Sequence, residues 1–223
     1  MAIMPRIRKL LARPASASTV GRRRESGHVH NNVIQEDALR AMLADDPNNE
    51  RAFAALVGVV HRNSAQSDTD SVDPLAADAA DEMAKHRLAM SKWALAEEFS
   101  GHPRAWYPLI ELARLSLPKD VDDAVRRINA AVARENTGAA LTAGIGALLE
   151  HGLACDAYNM GIAHWRSKEH IPAAGVAVVR AALGCDRQSE ARNALSELLD
   201  SANIEEVNIL DPQLVNDVEV LHR

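Results

Sequence analysis

His151, Cys155 and Asp156 place an imidazole, a thiol and a carboxylate within six residues, the atoms of a nucleophilic site in which a base activates a thiol. They fall at a break between two helical patterns, where such residues turn the chain and cap helices. His28 and His30 offer two nearby imidazoles to a metal, but without the further ligands of a closed site. His164 and His170 flank Trp165 and Lys168 without the i, i+4 spacing of a helical zinc pair. Gly144-Ile145-Gly146 lies among Ala139, Ala140, Ala143 and Ala147, with no strand before it and no Lys-Ser/Thr after it. Small residues that let helices approach explain it better than a phosphate-binding loop. Glu97-Glu98, Asp122-Asp123 and Glu205-Glu206 are adjacent carboxylates that point in different directions on a helix, as solvated faces or first-turn charges do. No catalytic residue, metal ligand or cofactor is assigned, and the chain is read as not an enzyme.

Binding chemistry is better represented. Residues 1–30 hold Arg6, Arg8, Lys9, Arg13, Arg22, Arg23 and Arg24 against Glu25 alone, a balance of +6 in a chain whose total is -6, so the remainder carries -12. A basic arm therefore precedes an acidic body, and the two can bind different things or each other. Those seven cations are the candidates for contact with nucleic acid or an acidic surface: RNA or a ribosome first, an anionic membrane surface less so. Within the arm, Ile3, Ile7, Leu10 and Leu11 share one helical face, with Arg6, Lys9 and Arg13 largely off it. An Arg-rich start without an acid before Glu25 also suits a mitochondrial presequence. No run reaches the roughly 18 apolar residues of a membrane span, and Pro5, Arg6, Arg8 and Lys9 interrupt the N-terminal apolar stretch. Two cysteines, Cys155 and Cys185, are too few for a disulfide framework and read as small buried hydrophobes of a reducing cytoplasm.

The elements that position these residues are helices. Hydrophobic residues make up 47% of the chain but aromatics only 3%, and alanine and leucine dominate, so the fold class expected is all-α. Phe53, Leu56, Val57 and Val60 recur at i, i+3, i+4 and i+7, and the same stripe returns in Trp106, Leu109, Ile110 and Ala113 and three more times downstream. Stop and start signals punctuate the stripes. Starts at Pro103, Asp120, Thr137, Asp156, Pro172 and Ser189 are separated by 17, 17, 19, 16 and 17 residues. Two such helices make a unit of about 34 residues.

Asp46-Pro47-Asn48-Asn49 resembles the turn that closes one tetratricopeptide repeat and opens the next, with Phe53 and Leu56 where the following helix carries an aromatic and a leucine. Pro47 ends one helix and Asn48 is expected to cap its successor. Residues 157–165, Ala-Tyr-Asn-Met-Gly-Ile-Ala-His-Trp, are similar to that family's first helix, and Arg180 to Leu183 to the end of its second. The resemblance implies an α-α superhelix: antiparallel helix hairpins stacked into a solenoid with a groove for a protein partner. The groove candidates are Asn159 and Trp165, within the stretch similar to that family, and Tyr107. Trp106 and Phe99 keep the apolar phase and are expected in the core, whereas Tyr107 falls off it as a contact residue. The basic clamp for a carboxyl-terminal peptide is not carried over, because lysine is nearly missing from the body.

The organisation expected is a largely disordered basic arm over 1–32, a tetratricopeptide-like domain over 33–200 with a flexible loop at 63–73, and a cap or tail over 201–223. One long helix is expected over 74–99. The tail either covers the last helix or offers "VEVLHR" as a strand. The function expected is that of a cytoplasmic, non-enzymatic adaptor, with an RNA- or ribosome-associated factor as the alternative.

Overall fold

The computed structural model describes residues 22–66 and 77–220. Its helices are α1 Arg22–Asp45, α2 Glu50–Gln66, α3 Ala77–Ser100, α4 Tyr107–Ser116, α5 Val121–Val132, α6 Ala139–Glu150, α7 Ala154–His164, α8 Pro172–Gly184, α9 Gln188–Ser201, α10 Ile204–Leu210 and α11 Leu214–Val220. No strand occurs among the described residues. The chain is all-α, and its helices pack in neighbouring pairs as a superhelical arrangement.

From α4 to α9 the two-helix unit of about 34 residues is kept, while successive starts alternate between shorter and longer steps instead of an even 17. α4, α6 and α8 begin 32 and 33 residues apart, and α5, α7 and α9 begin 33 and 34 apart. Each start has a local cause. Asp120 accepts the N–H of Asp123 at 2.9 Å and caps α5. Pro172 fills the first turn of α8, where no N–H is needed. α6 starts behind Gly138, whose φ of 90° suits glycine and which has no side chain to cap with. Glu135 supplies that cap, accepting the N–H of Thr137 at 2.6 Å and of Ala140 at 3.1 Å.

Apolar stripes gather into two cores that share α4. Leu43 of α1, Phe53, Leu56 and Val57 of α2, Leu95 and Ala96 of α3, and Leu112 of α4 form the first. Ile110 and Ala113 of α4 open the second, which continues through Ile128, Leu141, Ile145, Leu148, Val178 and Leu198 and closes on Val207, Leu214 and Val218. α4, α6 and α8 pack against one another in succession, while α5 and α7, and α7 and α9, do not meet to a similar extent. Small residues let α5 approach α6 and α7 approach α8. A Cβ on Gly144 would lie 2.4 Å from Ile128 Cγ2, and one on Gly161 2.8 Å from Val178 Cγ2, so both glycines allow close helix contact.

Several expectations are corrected. α1 begins at Arg22, within the span given to the arm, and residues 1–21 lie outside the described residues. α2 runs to Gln66 through the start of the expected loop; residues 67–73 lie outside the described residues, as does the amphipathic stretch around Ile3 to Leu11. Asn49, not Asn48, caps α2: its Oδ1 accepts the N–H of Ala52 at 3.0 Å. Cys155 and Cys185 are not separate thiols but a disulfide, their Cα atoms 4.9 Å apart, joining the first turn of α7 to the end of α8. Val218 to Val220 are helical rather than extended, and α10 and α11 cover α8 and α9. The long helix expected over 74–99 is α3.

Candidate partner-binding surface

α4 has the sequence YPLIELARLS, and its two charged residues, three apart, share a face with Tyr107. The helix is positioned from both ends of the first core. Asn48 Oδ1 accepts the N–H of Trp106 at 2.8 Å and of Tyr107 at 3.0 Å, while its Nδ2 donates to the carbonyl of Arg104 at 2.8 Å. Arg134 Nη1 donates to the carbonyls of Ser100, His102 and Ala105 and fixes the bend before α4.

The result is an open hollow of about 400 Å³ on one side of Leu115 and another of about 370 Å³ on the other. Met90, Trp93 and Leu115 give the first an apolar floor, with His86, Lys119 and Asp123 beside it. Arg127 stacks over Trp93 at 5.2 Å from the ring centre. Arg127 also holds Asp123 at 2.7 Å, which together with hydrogen bonds from Ser116 and Arg126 keeps that carboxyl below its ordinary range.

The second hollow is charged. Glu111 is 9% exposed and the most deeply placed ionisable group in it. Lys92 Nζ stands 3.8 Å and Arg114 Nε 3.9 Å from its carboxylate, and Arg114 also pairs with Glu150 across the α4–α6 junction. Two cations thus offset the buried acid, as a carboxylate out of water requires. Burial first, then the charges of Glu111 and Glu50, push the Tyr107 phenol up, so it stays protonated. Its ring meets Phe53 edge-on with centres 5.6 Å apart.

The three groove candidates line three different hollows. Tyr107 lines the charged one and is half-buried against the first core. Trp106 and Phe99 are likewise half-buried, Trp106 against the second core and Phe99 against the first. Asn159 lies on α7 in a hollow of about 210 Å³ facing α5, where His164 Nε2 stands 2.9 Å from Asn129 Oδ1. Trp165 ends α7 and packs on α8: a Cβ on Gly175 would come within 2.9 Å of it. Of the basic candidates, Arg22, Arg23 and Arg24 open α1, and Arg6, Arg8, Lys9 and Arg13 lie outside the described residues. Lys92, Glu111 and Arg114 escaped the sequence reading. Their signal was a Glu and an Arg interrupting an otherwise apolar α4, but Lys92 sits 19 residues earlier than Glu111 and only the fold brings it there.

The chemical readings resolve into structure. His151 Nδ1 lies 3.0 Å from the carbonyl of Ala147 at the end of α6, and the sulfur of Cys155 is bonded to that of Cys185, so no thiol faces that imidazole. Among the described residues, no group of three or more His, Cys, Asp or Glu is arranged to hold a metal ion. No described helix is long and apolar enough to cross a membrane.

The class these observations define is an all-α superhelix of paired helices with repeat-like spacing. No protein-family model matches the sequence, and neither a curated protein nor a solved structure matches it significantly.

Proposed function

We propose that the chain is a non-enzymatic adaptor, a tetratricopeptide-like array that binds a segment of a protein partner along the row formed by α4, α6 and α8. One observation carries this reading: the row's open side begins at a hollow where Lys92, Glu111, Arg114 and Tyr107 are held in place by the fold while the space beside them is unfilled. A preorganised polar cluster next to Ile110 and Leu115 suits a segment that presents a charged side chain beside an apolar one, and binding there costs little ordering of the protein. Tyr107 is the one of the three sequence candidates on that row. The cytoplasmic site read from unpaired thiols is not part of this proposal, because Cys155 and Cys185 form a disulfide.

The test is quantitative partner capture by the full chain and by Lys92→Glu, Arg114→Glu and Tyr107→Phe variants whose circular dichroism and melting match the parent. The same partners should be lost from the first two variants and weakened in the third. Capture unchanged in all three removes the hollow from the binding surface.

A further inference from the structure

We propose that the Cys155–Cys185 disulfide is a reversible thiol–disulfide exchange site, a redox latch on the turn between α8 and α9. The bond lies at the surface: Cys155 in the first turn of α7 is exposed, and Cys185 just after α8 is half-buried. Exchange requires a thiolate to reach one of the two sulfurs, and a bond at the surface is open to it without unfolding. The packing around the bond does not use it. Gly184 lets the end of α8 lie on the start of α7, where a Cβ would come 3.0 Å from that of Ala154. The Arg187 guanidinium stacks 5.1 Å from the centre of the Tyr158 ring. Two thiols left by reduction therefore stay side by side and can pair again.

Two helix ends show what the latch holds. After α6, Gly152 N–H donates to the Leu149 carbonyl at 3.0 Å and Leu153 N–H to that of Leu148 at 2.9 Å. After α8, Asp186 N–H donates to Leu183 at 3.1 Å and Arg187 N–H to Ala182 at 2.9 Å. Both are the same helix-ending motif, which needs one residue in the left-handed region. At α6 that residue is Gly152, with φ 73°, and at α8 it is Asp186, with φ 58°, the one described residue other than glycine with positive φ. A side chain in that region carries a steric cost that glycine avoids. Such a residue persists where its surroundings enforce the conformation, and the residue before it, Cys185, is the one tied to α7. The turn after α6 has the glycine and no cross-link; the turn after α8 has the cross-link and no glycine. Breaking the bond leaves the second turn to its own hydrogen bonds.

The chemistry calls for a dithiol, as a thioredoxin-class reductant provides. One of its thiolates attacks Cys155 Sγ, the more exposed of the two residues; the bond to Cys185 breaks, and Cys185 leaves as a thiolate that takes a proton from water. The reductant's second thiol gives up its proton and attacks the mixed disulfide, releasing Cys155 as a thiol. The reductant closes its own disulfide and has passed two electrons to the chain. This inference is independent of what the α4, α6 and α8 row binds.

The experiment uses the full chain, with dithiothreitol as reductant and oxidised glutathione as oxidant. Reduction in native buffer should be first order in dithiothreitol and unchanged by urea below the unfolding transition. Amide exchange over 183–188 should be about tenfold or more faster in the reduced chain and return to its former rate on reoxidation. In Asp186→Gly, where the turn no longer needs enforcing, the two redox forms should differ by less than about threefold. Reduction that proceeds only as urea opens the fold overturns the proposal, since the bond is then a buried staple. So do equal exchange in both forms of the parent, a difference undiminished in Asp186→Gly, or reoxidation that yields linked dimers instead of the original pair.

Discussion

The side-chain oxygen of Asn48 accepts the backbone N–H of Trp106 at 2.8 Å, so a residue in the turn after α1 caps a helix 58 residues further on. Trp106 is the N-cap of α4 and has no side-chain cap bond of its own. The turn therefore does two jobs at once: Asn49 starts α2 locally and Asn48 starts α4 at a distance.

These two asparagines can be separated by mutation. Asn49→Ala removes one local cap and should cost about 0.5–2 kcal/mol. Asn48→Ala leaves the N–H groups of Trp106 and Tyr107 and the carbonyl of Arg104 without this partner and should cost more, about 1–3 kcal/mol. Urea unfolding of both variants checks the order, and an Asn48→Ala variant as stable as the parent would show that water replaces the side chain in full.

The same turn marks what sequence makes legible. The polar stretch after Leu43 announces a break because proline cannot continue a helix, and the repeated apolar stripes announce helices because their period is local. Which asparagine caps which helix is not local, since both have the same chemistry and the choice depends on where α4 comes to rest. The disulfide was missed for a related reason: two cysteines 30 residues apart meet only because α7 and α8 run antiparallel. The charged hollow follows the same rule. Glu111 and Arg114 are visible on one helix, but Lys92 joins them from α3 and Glu150 from α6. Asn159 and Trp165 come from a stretch similar to the first helix of a repeat and Tyr107 from its place off the apolar phase, whereas the row that stacks, α4, α6 and α8, is set by the fold.

Gly144 and Gly146 share a three-residue stretch and should answer alanine in opposite ways. The Cβ of Gly144→Ala would meet buried Ile128 at 2.4 Å, and forcing α5 and α6 apart should cost about 1–3 kcal/mol. The Cβ of Gly146→Ala would meet nothing within 4 Å. There alanine brings only its better helix propensity, a gain of about 0.5–1 kcal/mol. Thermal melts of the two variants should move in opposite directions.

Arg180 links α8 to the C-terminal helices by pairing with Asp211 and Asp217. The hydrogen bond from Arg180 holds the Asp211 carboxyl below its ordinary value of 3.8, with burial opposing it and the N–H groups of Gln213 and Leu214 assisting. The folded chain thus binds this proton more weakly than the unfolded chain. The stability it confers is fully present above pH 3.8 and is lost as pH falls through the lower, folded value. Amide exchange in α10 and α11 should therefore be insensitive to this pair between about pH 5 and 7 and accelerate, after correction for intrinsic rates, only in stronger acid. Arg180→Met should remove that acid step while loosening both helices at neutral pH.

Cys155 and Cys185 close a loop that contains the α7–α8 hairpin, with a sequence separation of 30. A cross-link of that span restricts the unfolded chain and, by loop entropy, stabilises the fold by about 3–4 kcal/mol. Cys155→Ser/Cys185→Ser should lower stability by that amount when compared with the oxidised parent. The comparison must be made again in excess dithiothreitol, where the bond is replaced by two thiols and the parent should fall to the level of the variant. The α7–α8 contacts themselves persist in both, since Gly161 still admits Val178 and neither depends on sulfur. Secondary structure should consequently survive reduction while the unfolding midpoint drops. Differential thiol labelling of the protein taken directly from its source then fixes the compartment: paired cysteines require an oxidising one, and free thiols agree with the cytoplasmic reading.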